Sequence, residues 1–366
     1  MAERIPVHVN ARFLDEPLTG LQRWGREVLR ELDAMLEEGV IDAARYRFVL
    51  LAPEQPEALP EYRHLEFVAR GPLRSHLWEQ FTLPRLAKGF LLNFKNTAPV
   101  RHRDMAVVMH DFQVWAYPGT HTRTFNALYR YVLPRVARRA KAFLVVSEST
   151  RREAKRWLSV EPPAEHVTGG GHDHILRAGR APELLAEHGL EKDGFLLGVS
   201  SLTPNKNFAA FLRAARMADL DLPVVIAGGT NPAVFSGPGE QSLPDDARYL
   251  GRVEDAALRT LYENARAFCF PSLYEGWGLP PGEAMLLGCP VVVSRTTSMP
   301  EVCGDAAVYC DPHDDASIAG ALRRVCTDDA LRARLREQGP KQSAQFTWRR
   351  VAERLWGSVE PLLRER

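Results

Sequence analysis

The 366-residue chain contains no apolar run close to the roughly 18 residues a membrane-spanning helix requires. Its opening, MAERIPVHVN, lacks a basic stretch, a long apolar run and a small-residue cleavage site. No secretory signal is read there, so a cytoplasmic address is expected, at most peripheral to the cytoplasmic face of the membrane. Cysteine is scarce. Cys269, Cys289, Cys303, Cys310 and Cys326 all lie in the second half, are odd in number and form no Cys-x-x-Cys pair. That excludes a disulfide framework and a zinc ribbon, and leaves buried reduced thiols. A net charge of +1 excludes the strongly basic surface of non-specific nucleic-acid binding, so no nucleic-acid partner is expected. The charge is uneven, with 25 Lys+Arg against 20 Asp+Glu over residues 1–170 and 22 against 26 in the remainder. No Gly-x-Gly-x-x-Gly follows a strand in either half, which argues against a NAD-dependent oxidoreductase.

What is present is a rhythm of short apolar runs alternating with helical stretches, the pattern of α/β proteins with parallel sheets. RIPVHVN, YRFVLLAP, LEFVAR, MAVVMHD and KAFLVVSES read as strands of the first half. GLQRWGREVLRELDAMLEEG and FNALYRYVLPRVARRA carry apolar residues at helical spacing. The rhythm breaks near 160–192, where VEPPAEHVTGGGHDH carries two prolines and Gly169 to Gly171. It restarts with GFLLGVSS, LPVVIAGG, RYLGRV, RAFCFPS, PVVVSR and AAVYCD. Two Rossmann-like halves result, with residues 1–178 as the first, 179–345 as the second, and 346–366 as a closing helix. A ligand is expected in the cleft between such halves.

The chemistry concentrates in residues 268–312, FCFPSLYEGWGLPPGEAMLLGCPVVVSRTTSMPEVCGDAAVYCDP. An apolar strand ends at Pro271-Ser272, a glycine-bracketed loop Glu275-Gly276-Trp277-Gly278-Leu279 follows, and Pro280-Pro281 opens a helix. Proline suits the first helical turn, where its missing N–H would have been unpaired. Glu275 therefore belongs to the loop and Glu283 to the first turns of the helix. A strand–Gly-loop–helix unit offers free N–H groups and a positive dipole end to an anion such as a diphosphate. Two carboxylates would repel phosphate, so they need another task, and paired hydroxyls of ribose and hexose suit them. A nucleotide sugar supplies a diphosphate flanked by two such diols.

Glu275-x7-Glu283 within PSLYEGWGLPPGEAM resembles the signature of the family-4 retaining glycosyltransferases of the GT-B fold. VSSLTPNKNF, YLGRV, SMPEVCGDAA, the front segment RFLDEPLTGLQRWGREVLREL, VVMHDF and FTWRRVAERL resemble further segments of that family, in order. The resemblance implies two Rossmann-like domains facing each other across a cleft, with the closing helix returning to the first. It implies that Glu275 contacts the transferred sugar, Glu283 the ribose diol and Lys206 the diphosphate. Backbone N–H groups around Trp277, Gly278 and Leu279 would face the donor, together with Asn205 and Val253. Gly20 would let the first loop approach the donor phosphate, and His110 would sit at the sugar. By likeness to bacterial exopolysaccharide and O-antigen enzymes, the implied donor is GDP-mannose first and UDP-glucose second. The implied acceptor is a saccharide or lipid-linked saccharide, with no cofactor and no metal.

The chain departs from the family where Asn205 replaces an arginine, Ser200 a glycine, and Thr168-Gly169-Gly170-Gly171 a Pro-Asn-Gly turn. His172-Asp173-His174 has the look of a ligand set, but i, i+2 spacing in a glycine-rich loop is weak evidence of metal. Asp219-x-Asp221 reads as a solvated turn. Arg130, Arg135, Arg138, Arg139 and Lys141 mix with aromatics on a stretch that could meet anionic lipid, although Pro134 interrupts it. Two alternatives stay open: a nucleotide-sugar 2-epimerase on the same fold, and a non-catalytic saccharide-binding protein.

Overall fold

The computed structural model describes residues 4–201, 203–229 and 247–365. The chain divides into two compact units. One comprises residues up to Gly171 together with those from Trp348 onward, and the other runs from His172 to Thr347.

In the first unit six strands form a parallel sheet among the described residues: β1 (Ile5–Asn10), β2 (Tyr46–Ala52), β3 (Leu65–Ala69), β4 (Phe90–Asn93), β5 (Met105–Met109) and β6 (Ala142–Val145). Their order is β3-β2-β1-β4-β5-β6. The sequence reading has five of these and omits β4. FLLN is four residues long, holds no β-branched side chain and has no flanking alternation, so periodicity does not mark it. Its place is decided by pairing, with Val7 opposite Phe90 and Asn10 opposite Asn93. The helix Gly20–Glu37 buries Trp24, Val28, Leu32 and Met35, a stripe at helical spacing. The helix Arg123–Arg139 continues through Pro134, with the Thr122 hydroxyl accepting from the Phe125 N–H at its start.

The helix Trp348–Arg364 belongs to this unit. Trp356 packs edge-on against Tyr46 at 5.0 Å and tilts against Phe48 at 5.5 Å. Arg349 pairs with Glu38 at 2.6 Å.

The second unit carries β7 (Leu196–Val199), β8 (Val224–Ala227), β9 (Ala247–Gly251), β10 (Ala267–Phe270), β11 (Val291–Ser294) and β12 (Val308–Cys310). They form a parallel sheet in the order β12-β11-β10-β7-β8-β9. β7, β8, β10 and β11 are buried at every residue, as strands covered by helices on both faces must be. The helices Phe208–Ala218 and Asp315–Thr327 share one apolar core with Leu196, Ile226, Val292 and the thiols of Cys269, Cys310 and Cys326. All five cysteines are buried and free. Asp219 ends its helix in the left-handed conformation, which makes Asp219-x-Asp221 a turn.

The seams differ from the boundaries read in the sequence. The first falls at Gly171–His172 instead of 178/179, because His172 is already packed against Trp277 and Phe346 of the second unit. The second falls at Thr347–Trp348 instead of 345/346, because Phe346 is held by that same packing. Among the described residues no helix is long and apolar enough to cross a membrane.

Candidate active site

Within the second sheet, β7 and β10 are neighbours although far apart in the chain. The connections leaving their carboxyl ends therefore meet at the point where strand order reverses, the usual ligand position in open α/β sheets. Lys206 follows β7, and the 271–278 loop follows β10.

The Lys206 Nζ lies 2.7 Å and 2.8 Å from the two carboxylate oxygens of Glu275. Both side chains are largely enclosed, at 19% and 10% exposure, so the pair is poorly screened. The buried Ser272 hydroxyl donates to Glu275 Oε1 at 2.6 Å. The Glu275 N–H donates to Thr297 Oγ1 at 3.1 Å, and the buried Ser298 hydroxyl donates to the carbonyls of Glu275 and Trp277. Asn205 is a brace of this loop: its carbonyl accepts from the Leu273 N–H at 2.8 Å, and its amide donates to the Tyr274 carbonyl at 3.3 Å.

Gly278 has φ +122°, a conformation closed to most L side chains, and an added Cβ there would press into Met299. Beyond it the helix Leu279–Leu286 begins, with Pro280 in its first turn. Trp277 and Gly278 are buried, while Leu279 and Val253 are half-buried.

Glu283 is 5% exposed, four residues into that helix. Its two oxygens are held from separate elements: His174 Nε2 lies 3.1 Å from Oε1, and the Tyr262 hydroxyl donates to Oε2 at 3.2 Å. Burial, with the Glu283 carboxylate beside it, raises the Tyr262 phenol well above its ordinary range, so it stays a donor. His172 and His174 are thus not a joint ligand set: one braces the glycine loop and the other holds Glu283. The sequence does not disclose the roles of His174, Tyr262, Ser272, Thr297 and Ser298, which arise from contacts made in the fold.

The first unit presents its own polar centre at the carboxyl ends of β1 and β4, neighbours across its order reversal. Glu79 is fully buried and accepts from Asn10, Arg12 and Thr97. Burial alone would raise its carboxyl, yet His76, Arg12 and Thr97 together hold it down to about 2. Lys95 pairs with Glu16 at 2.5 Å. His110 follows β5, and its Nε2–H donates to the Phe94 carbonyl at 2.8 Å. That bond leaves the lone pair on Nδ1. Burial lowers the His110 pKa against the opposing pull of Phe94 and Asp111, so the ring is a neutral acceptor. Trp24 meets it edge-on at 5.3 Å. Gly20 is the exposed first residue of its helix.

Residues 181–342 match the sequence profile described as Glycosyl transferases group 1. This segment is a group 1 glycosyltransferase domain. The chain as a whole is a glycosyltransferase of the GT-B fold class. It is 29% identical over 360 residues to O-antigen chain mannosyltransferase B of Escherichia coli, covering 91% of this chain and 93% of that protein. It is 30% identical over 233 residues to the serotype-specific mannosyltransferase WbdA of Escherichia coli, covering 58% of this chain and 28% of that longer protein. The fold matches that of sucrose-phosphate synthase from Thermosynechococcus elongatus with a TM-score of 0.78 at 17% identity, over 99% of this chain and 100% of that one. The glycosyltransferase domain carries every donor-side residue named from the sequence except Gly20.

Proposed function

We propose that this glycosyltransferase moves mannose from GDP-mannose to a saccharide hydroxyl in cell-surface polysaccharide or O-antigen assembly, with retention at the anomeric carbon. The observation that carries the reading is the pair of enclosed carboxylates, Glu275 and Glu283, bracketing a glycine loop with Lys206 beside it. Mannose is supported by the two Escherichia coli mannosyltransferases. In this reading Glu283 grips the ribose diol, Glu275 the sugar hydroxyls, and Lys206 with the loop amides the diphosphate. The bond from the anomeric carbon to the phosphate oxygen breaks through an oxocarbenium-like transition state. The acceptor oxygen bonds the same face, and its proton passes to the leaving phosphate. Charge grows on the diphosphate as it departs, so fixed donors stabilise the transition state more than the ground state. Lys206 supplies the cation, and no metal is required. His110, a neutral acceptor, orients a sugar hydroxyl.

Glu283→Ala removes charge-assisted hydrogen bonds of about 1.5–3 kcal/mol each. Calorimetric titration with GDP-mannose will show at least a tenfold loss of affinity, and wild-type affinity in this variant would refute the ribose assignment.

We further propose a cytoplasmic location with peripheral contact to the inner membrane and a lipid-linked acceptor. Leu77, Phe81, Leu128 and Tyr131 are exposed, and their segments meet where His76 packs on Tyr129 at 5.6 Å. Arg135 lies 3.6 Å over the Tyr131 ring, and Arg138 is exposed on the same helix. At about 1 kcal/mol per basic residue near an anionic surface, Arg135→Ala with Arg138→Ala will weaken partitioning onto phosphatidylglycerol vesicles about 30-fold. Equal sedimentation of wild type and variant with these vesicles would remove the membrane contact.

A further inference from the structure

We propose that His172 is the positioning residue of the 275–283 segment, a neutral imidazole that ties the Trp277 indole, ahead of Gly278, to the Gly282 carbonyl beyond it. The inference deepens the donor-site reading above and rests on it for the ligand.

Three hydrogen bonds make the tie. Trp277 Nε1–H donates to His172 Nε2 at 3.1 Å. His172 Nδ1 lies 2.9 Å from Ser343 Oγ, and the Ser343 hydroxyl donates to the Gly282 carbonyl at 2.7 Å. The direction is fixed from both ends. An indole N–H can only donate and a carbonyl can only accept, so His172 and Ser343 must each accept once and donate once. The neutral Nδ1–H tautomer alone satisfies this. A second proton on Nε2 would set N–H against the Trp277 N–H.

The surroundings keep that form. His172 is fully buried, its ring stacked on Trp277 at 6.1 Å and met edge-on by Phe346 at 5.6 Å. The His172 backbone N–H donates to the Phe346 carbonyl at 3.1 Å. Burial drives the imidazole down to about 3; Glu283 opposes this and His174 adds to it. Gly282 is part of the device, because a Cβ there would overlap the Cε1, Nε2 and Nδ1 atoms of the imidazole. Ser298 holds the carbonyls of Glu275 and Trp277, so the loop is clamped on two sides. An anion arriving at such a loop meets amides already ordered, which removes a cost of binding.

The test begins without ligand. In His172→Phe, hydrogen exchange of the 275–283 amides will accelerate at least about tenfold, while peptides from β10 and β11 keep wild-type rates. Trp277→Phe will accelerate the same amides, and the double variant will add nothing, since both changes cut one tie. Ser343→Ala must do the same in part, and it decides the matter with Trp277→Phe if His172→Phe does not fold. Unchanged 275–283 exchange overturns the proposal, as does acceleration spread evenly over the second unit or a double variant whose effects multiply. Titration with GDP and with UDP gives the ligand arm, in which the variants will raise Kd about tenfold. Wild-type Kd in a variant with a loosened loop overturns the link to donor binding. A wild-type protein that binds neither nucleotide sinks the donor-site reading, while the exchange data still decide the role of His172.

Discussion

Lys206→Met will lower kcat for sugar transfer by about 10²–10³-fold, the usual loss when one fixed donor to a developing negative charge is removed. Methionine retains most of the apolar stem, so the largely enclosed site keeps its packing. What disappears is the ammonium 2.7 Å from Glu275. The same change leaves the Glu275 carboxylate without its cation, held by Ser272. Diphosphate binding therefore falls as well, through lost attraction and through new repulsion from Glu275. Steady-state kinetics with a nucleotide-sugar donor measure the first effect and GDP titration the second. A kcat within threefold of wild type would show that Lys206 does not face the leaving group.

Glu275→Ala separates the two ends of the donor. Two charge-assisted hydrogen bonds to sugar hydroxyls, at about 1.5–3 kcal/mol each, put the loss in kcat/KM at no less than about 10²-fold. GDP lacks the transferred hexose, and Lys206 is released from its counter-ion in this variant. The affinity for GDP will therefore stay level or rise while transfer collapses. A parallel fall in GDP affinity would mean that Glu275 serves the loop fold, through its bond from Ser272, more than it serves the sugar.

Both predictions concern residues that were legible in the sequence, and the reason is local. Glu275, Gly278, the Pro280-Pro281 start and Glu283 sit within one short string, and proline chemistry alone separates loop from helix. The six strands of the second unit were equally plain, because continuous apolar runs between turn residues are what a doubly covered parallel strand requires. β4 was hidden because its evidence is its pairing with β1, which no window of sequence contains. The partners of Glu283 were hidden for the same reason: His174 and Tyr262 reach it from separate elements. His172 was misleading, since a histidine in a glycine-rich turn has a ligand's composition and here a strut's contacts. The seam at Gly171–His172 follows from that strut, so the boundary was no easier to read than the contact that fixes it.

Because Trp348–Arg364 completes the first unit, the two halves cannot mature in the order they leave the ribosome. The second unit is one uninterrupted stretch and can close as soon as it emerges, whereas the surface around Tyr46 and Phe48 stays bare until Trp356, which follows that stretch, has been made. Truncation just after Thr347 would thus damage the first unit, and leave the second behind as a folded fragment.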